Sequence, residues 1–121
     1  MTPPIFSIIA ANGAVTALIG SNPVRFHLFG EAPQDVVKPY CVWQTIFGAP
    51  ENYLGQVPDV DSWSVQIDVY GDTVSSVRAV AQAVRDALEP VAYVTNWNGE
   101  NRDPATKRYR YSFDVAFITP R

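Results

Sequence analysis

The sequence has 121 residues and a net charge of −3, from nine basic and twelve acidic side chains. This length predicts a single domain, 1–121, and the acidic balance argues against tight affinity for DNA or RNA. The single Cys41 excludes an internal disulfide and a thiolate zinc site, and its apolar neighbours indicate a buried thiol. The amino terminus has no basic region and no apolar run approaches membrane-spanning length, so we expect a soluble, untargeted chain without membrane contact.

The amino-terminal quarter is predicted to contain one interrupted helix followed by a short strand. Thr2 can cap this helix through its hydroxyl. Asn12-Gly13 then breaks the helical spacing, which resumes at 14–19. The segment 24–29 alternates, with apolar side chains on one face, and is predicted to be a strand.

The middle of the chain predicts two strands and a helix around a polar connection. Segment 40–47 is apolar on both faces, which predicts a central strand. Segment 48–61 is polar and rich in Gly and Pro, so we expect it to protrude as a loop or hairpin. Segment 63–70 alternates as a half-buried strand, and 73–88 has the period of an amphipathic helix, capped by Thr73 or the residue before it. The apolar stripe of this helix consists of Val74, Val77, Val80, Val84 and Leu88.

The last third predicts two strands joined by a turn. A strand over 91–97 is followed by the turn signal Asn98-Gly99, with the loop continuing through 103–104. Segment 107–119 is the longest alternating run, and its core-facing side chains are Tyr109, Tyr111, Phe113, Val115 and Phe117. The chain is therefore predicted to be an α+β domain, with a mainly antiparallel sheet of about four to five strands and two helices packed on one face.

No catalytic constellation stands out, and we predict neither an enzyme nor a bound cofactor or metal. The only histidine, His27, has no nucleophile elbow beside it, and a lone strand histidine is more often a packing or surface residue. Asp59 and Asp61 could suggest a hydrolase or a divalent cation site, but a solvated loop edge fits two isolated acids better. No Gly-rich phosphate loop, zinc spacing or EF-hand pattern is present in the sequence.

Charge is divided unequally along the chain, with an acidic middle and a basic end. No basic residue occurs between Lys38 and Arg78. The acids in that interval are Glu51, Asp59, Asp61, Asp68 and Asp72, and the bases near the end are Arg102, Lys107, Arg108, Arg110 and Arg121. Two solvated strand faces would explain this division, as would electrostatic complementarity between neighbouring copies in a head-to-tail assembly.

Three apolar features are unexplained by a monomer. They are the loop residues Tyr53 and Leu54, the doubly apolar segment 40–47, and Trp97 beside the predicted turn. These groups could pack back onto the core, since scattered exposed apolar residues are normal. Alternatively they form a subunit interface, where Tyr and Trp are enriched.

A recognisable pattern of strands and turns is carried by 39–44, 50–52, 61–70, 98–104 and 109–117. Together these segments resemble the tail-completion family of long-tailed bacteriophages and prophages, which is similar to the lambda-type tail terminators. The resemblance spans nearly the whole chain. It implies an α+β subunit that forms a hexameric ring, caps the growing tail tube, ends its polymerisation and presents a docking surface for the head or neck.

The resemblance also implies partners and a location. The partners are other copies of the chain, the tail tube protein and head or neck connector proteins, while genomic DNA passes through the ring without specific binding. The location is the head-proximal end of the virion tail, with assembly in the host cytoplasm. In this arrangement we place Glu51, Asp59 and Asp61 near the channel or the tube contact, where carboxylates repel phosphates. Arg108 and Arg110 would face a neighbouring subunit or the rim of the tail tube.

Two other interpretations remain open. A head–tail connector or neck adaptor is also a small ring-forming virion protein, and the sequence does not separate it from a terminator. A small enzyme or ligand-binding α+β domain would need a convergent polar pocket, for which the sequence offers only His27 and scattered acids.

Overall fold

The computed structural model describes residues 4–52, 54–55 and 57–120. In these residues, three helices pack on one face of a five-stranded sheet. The helices are α1 Ile5–Ala10, α2 Gly13–Ile19 and α3 Val74–Leu88, and the strands are β1 Phe26–Leu28, β2 Tyr40–Pro50, β3 Val60–Gly71, β4 Tyr93–Arg102 and β5 Tyr109–Pro120. The predicted α+β class is confirmed.

The strand order across the sheet is β1-β2-β3-β5-β4. β1 is parallel to β2, whereas the other neighbouring strands are antiparallel, so the sheet is mixed with a mainly antiparallel body. The β2–β3 connection, 51–59, and the β4–β5 connection, 103–108, lie at opposite ends of this sheet. Pro50 pairs with Asp61 at the first, which we call the hairpin end. Arg102 pairs with Tyr109 at the second, which we call the turn end.

The core forms where the alternating faces of β3 and β5 meet the helices. Val65 and Ile67 of β3 and Phe113 and Val115 of β5 are fully buried. Helix α3 lies against both strands and buries Val77, Val80, Ala81, Val84 and Leu88. Each buried valine, leucine, isoleucine or phenylalanine side chain contributes about 1.5–3 kcal/mol, so the predicted alternation and helical stripe explain the main packing.

The amino-terminal helix is divided more completely than predicted. The Asn12 side chain accepts a 3.1 Å hydrogen bond from the backbone N–H of Val15 and so caps α2. The described residues therefore contain two short helices where one interrupted helix was predicted, which raises the helix count from two to three. The predicted cap at Thr2 lies outside the described residues.

The position of β2 differs from the prediction. Segment 40–47 was predicted to be central, but the middle strand is β3, and β1 flanks β2 only from Cys41 to Trp43. Beyond that point β2 runs along the edge of the sheet, and Ile46 and Phe47 are 46% and 64% exposed. The prediction therefore holds for 41–43, which lie between β1 and β3, and is wrong for the rest of the segment, because a run that is apolar on both faces also fits a strand with one uncovered face.

The predicted turn at Asn98-Gly99 is also wrong, because β4 continues through both residues. Gly99 has a φ of +104° and lies at a register shift where β4 bulges against β5. A glycine with positive φ serves a bulge as readily as a turn. The chain reverses instead at 103–108, where the Asp103 carboxylate accepts a hydrogen bond from the backbone N–H of Ala105.

Candidate assembly surfaces

The sheet has one face that carries no helix, which we call the open face. Because side chains alternate along a strand, the neighbours of the buried residues point to this face. They include Ser64, Gln66 and Asp68 of β3 and Arg110, Ser112, Asp114, Ala116 and Ile118 of β5. The centre of the open face is therefore polar, and its character changes towards each end.

Near the hairpin end, the open face carries an apolar row. Phe47, Ser64, Ala116 and Tyr93 are directly paired across β2, β3, β5 and β4. Phe47, Tyr93 and the nearby Ile118 are 64%, 72% and 61% exposed. Large exposed apolar side chains on β2, β4 and β5 of one face are typical of a surface that contacts another protein.

Sequence reasoning missed this apolar row because its members are adjacent only once the register is known. The usable signal is phase: Ala116 and Ile118 are apolar, yet they alternate out of step with the buried Val115 and Phe117. Apolar residues on the face that should be polar indicate a surface that is covered in an assembly.

The hairpin end also presents the predicted acids and one predicted interface residue. Glu51 follows β2, where its backbone N–H donates to Val60 O at 3.0 Å and its carboxylate accepts a 2.6 Å hydrogen bond from Ser62 Oγ. Asp61 is paired with Pro50 within the hairpin, whereas Asp59 lies in the connection, and both acids make contacts within the chain. Leu54 is fully exposed in the same connection, at 105%. Tyr53 lies outside the described residues.

At the turn end, Arg110 is already paired within its own chain. Its Nη2 lies 2.9 Å from Asp68 Oδ1, and the Asp68 side chain is only 12% exposed. Gln66 Nε2 donates a second hydrogen bond, 3.2 Å long, to the same oxygen. Part of the acidic middle is therefore neutralised by the basic end inside one subunit.

Arg108 packs on a pair of tyrosines at the same end. The rings of Tyr40 and Tyr70 stack with centroids 5.2 Å apart, and the Arg108 guanidinium lies 5.7 Å and 5.9 Å from them. Arg108 Nη1 donates a 2.7 Å hydrogen bond to Tyr40 Oη. Burial raises the pKa of Tyr40, although the Arg108 charge opposes this, so the phenol stays neutral.

Trp97 combines core packing with exposure. Its ring is tilted against Phe113 at 5.2 Å and meets Tyr111 edge-on at 5.8 Å, while 46% of the residue remains exposed. It borders an open groove of about 410 Å³ between α3 and β4, beside the Arg78–Glu100 ion pair. Both interpretations given to Trp97 from the sequence therefore have a structural basis.

The side chains that could act as a nucleophile or a general base, Cys41 and His27, are packed inside the described part of the chain. Cys41 is fully buried, and this burial raises the pKa of its thiol far above its ordinary value. His27 packs edge-on against Tyr40, with its Nε2 buried. Among residues 4–52, 54–55 and 57–120, no three His, Cys, Asp or Glu side chains come close enough to hold a metal ion. None of the described helices is long and apolar enough to cross a membrane.

An α+β domain with these exposed apolar and charged surfaces has the features of an assembly subunit. The family model described as "Tail completion protein gp17" matches residues 3–120. The chain therefore belongs to this family, as its segments suggested, and is a structural protein of a bacteriophage tail.

A solved structure described as "Virion of native gene transfer agent (GTA) particle" contains a chain with a similar fold. The TM-score is 0.72 and the sequences are 14% identical, with 97% of this chain and 92% of that chain covered. At this identity the likeness establishes a shared fold. No curated protein matches this sequence.

Proposed function

We propose that the chain forms a hexameric ring that caps the tail tube, ends its polymerisation and provides the docking surface for the head or neck. The observation that carries this proposal is membership of the tail completion family along residues 3–120. The exposed apolar row and the fully exposed Leu54 support it, because a subunit that acts alone would not need them. The role needs no catalytic group and no cofactor.

The size of the subunit suits a six-membered ring. A globule of this length has a radius of gyration of roughly 14 Å and hence a diameter near roughly 35 Å. Six equal spheres in a ring leave a hole about as wide as one sphere, which a DNA duplex on the order of 20 Å across can pass. Four spheres would leave only about 15 Å, which is too narrow for the duplex.

The partners follow from the position of such a ring. Neighbouring copies close it, the tail tube protein contacts one side, and head or neck connector proteins contact the other. The ring lies at the head-proximal end of the tail after assembly in the host cytoplasm. Genomic DNA passes through the centre without specific binding.

The sequence candidates take two roles in this ring. Glu51, Asp59 and Asp61 lie near the channel or the tube contact, where their charge keeps phosphates from adhering. The interface candidates are Tyr53, Leu54, Trp97, Arg108 and Arg110. Replacing Asp59 and Asp61 with lysine should slow genome ejection from tails that are otherwise intact, and normal ejection would remove these two acids from the channel.

Electron microscopy of particles that lack the chain tests the proposal. Overlong tails would establish a terminator, because polymerisation then runs on without a cap. Normal-length tails detached from heads would instead establish a head–tail connector or neck adaptor. Normal, attached tails would contradict both roles.

A further inference from the structure

A cationic cleft of about 360 Å³ opens at the turn end, and its principal charged groups are Arg102 and Arg108. The Arg102 guanidinium lies 5.4 Å from the centre of the Tyr109 ring, and that of Arg108 lies over Tyr40 and Tyr70. Neither guanidinium forms an ion pair with the residues that the structure describes. Aromatic packing thus positions both arginines at the end of the sheet, Arg102 with Tyr109 on the helix-bearing face and Arg108 with Tyr40 and Tyr70 on the open face.

The other charged groups at the cleft are already engaged. Arg110 is paired with Asp68, as described above. Asp103 accepts hydrogen bonds from the backbone N–H groups of Ala105 and Thr106, and these bonds, together with the charge of the nearby Arg108, lower the pKa of its carboxyl. Arg108 Nε is buried and therefore out of reach of another subunit. A partner carboxylate would bind the terminal amino groups of Arg108, which carry further N–H donors besides the one that Nη1 gives to Tyr40 Oη.

Glu51 is the carboxylate best prepared for such a contact. Its backbone is fixed by the bond to Val60, and Ser62 orients the side chain. A carboxylate can accept about four hydrogen bonds, so Ser62 leaves acceptor capacity for a guanidinium. Because both partners are held in position before they meet, little conformational entropy is lost on contact.

Glu51 cannot reach this cleft within one subunit. It lies at the hairpin end, whereas Arg102 and Arg108 lie at the turn end. The twelve residues of β3 that separate these ends extend for about 40 Å. The two charges can therefore meet only between copies.

We propose that Glu51 of one subunit binds the Arg102 and Arg108 cleft of the next subunit around the ring. The inference rests on the proposed ring and names the contact that repeats in it. Because the two halves of the contact lie at opposite ends of the sheet, they join copies head to tail, and such a contact closes into a ring when the rotation permits. Glu51 then belongs to the subunit contact, while Asp59 and Asp61 keep the channel position.

Two complementary variants test the contact. Glu51→Arg should remove the acidic half and Arg102→Glu with Arg108→Glu the basic half, each weakening self-association by about tenfold or more in light scattering. A mixture of the two should recover association, because each Glu51 meets an intact arginine cleft and each introduced arginine meets a cleft of reversed charge when the two variants alternate. Arg102→Glu alone serves as a milder cleft variant, since the Arg102 side chain is exposed and its guanidinium packs on the Tyr109 ring.

The control is Glu31→Arg, which reverses an exposed acid elsewhere on the surface and should leave association unchanged. Unchanged association of Glu51→Arg, or no recovery of association in the mixture of folded variants, overturns the contact. A cleft variant that loses affinity for a short DNA duplex, with Glu51→Arg unaltered in association, assigns the cleft to phosphate and also overturns it. A wild-type chain that stays monomeric, alone and on isolated tail tubes, overturns the contact together with the ring.

Tail length separates this proposal from the function on which it rests. Normal tail capping by the Glu51→Arg variant contradicts the contact but leaves the cap in place. Normal tails in the complete absence of the chain contradict the cap itself.

Discussion

At the scale of single residues, Trp63 joins three strands at the hairpin end. Its Nε1 donates a 2.8 Å hydrogen bond to Thr119 Oγ1 on β5, and its ring covers Gly48 on β2. A Cβ at position 48 would lie only 2.6 Å from Trp63 Cε3. The absence of a side chain at Gly48 therefore allows the indole to hold the sheet together beneath the apolar row.

Gly48→Ala should displace this indole and lower the free energy of unfolding by about 1–3 kcal/mol, as overpacking usually does. Denaturant unfolding followed by circular dichroism measures the change. Gly13→Ala is the matched control, because a Cβ there meets nothing within 4 Å and the position begins α2. Equal stability of the two variants would show that Trp63 does not depend on Gly48.

Arg110→Ala should lower the free energy of unfolding by about 1–3 kcal/mol, because it leaves the nearly buried Asp68 without its cation. Arg78→Ala, which breaks the exposed pair with Glu100, should have no measurable effect and serves as the control. Thermal and denaturant unfolding measure both. A loss of tail assembly in an Arg110 variant is informative about the interface only after this folding effect has been measured.

Cys41 should not react with a thiol reagent in the native protein at pH 8. Its thiol is fully buried and its pKa is raised, so the nucleophilic thiolate is scarce and inaccessible. Labelling with a chromogenic disulfide should begin only when denaturant unfolds the chain. Rapid labelling of the folded protein would contradict the burial of Cys41.

At the scale of elements, the start of α3 depends on one hydroxyl. Thr73 Oγ1 accepts a 3.1 Å hydrogen bond from the backbone N–H of Ser76. Thr73→Ala should therefore lower the free energy of unfolding by about 1 kcal/mol, while Thr73→Ser should retain most of the stability. Thermal unfolding compares the three proteins, and an equal loss in both variants would mean that the cap contributes nothing.

Helices and strands could be predicted from the sequence where a local periodic pattern shows which face is buried. Features that depend on which strands pair, and in what register, could not. The alternation of β5 and the stripe of α3 could be read from the sequence, because burial follows periods of 2 and 3.6 residues. Asn98-Gly99 could not, since positive φ at Gly99 suits a bulge as well as a turn. The short cover of β2 by β1 and the apolar row depend on strand order and register, which no local pattern encodes.

At the scale of the whole molecule, the two ends of the sheet carry different chemical groups. The hairpin end carries Glu51, Leu54 and the apolar row, and the turn end carries the arginine cleft. Complementary charges at opposite ends let each copy contact one neighbour with its hairpin end and the other with its turn end, which is the head-to-tail arrangement of a ring.

The proposed ring can be seen directly, because six copies of this chain should then surround the axial channel at the head-proximal end of the tail. Cryo-electron microscopy of intact particles, reconstructed at that end, measures the position and the number of copies. We expect a six-fold ring of this α+β fold seated on the last ring of the tail tube. Absence of the chain from that end, or a copy number that does not close a ring, would contradict it.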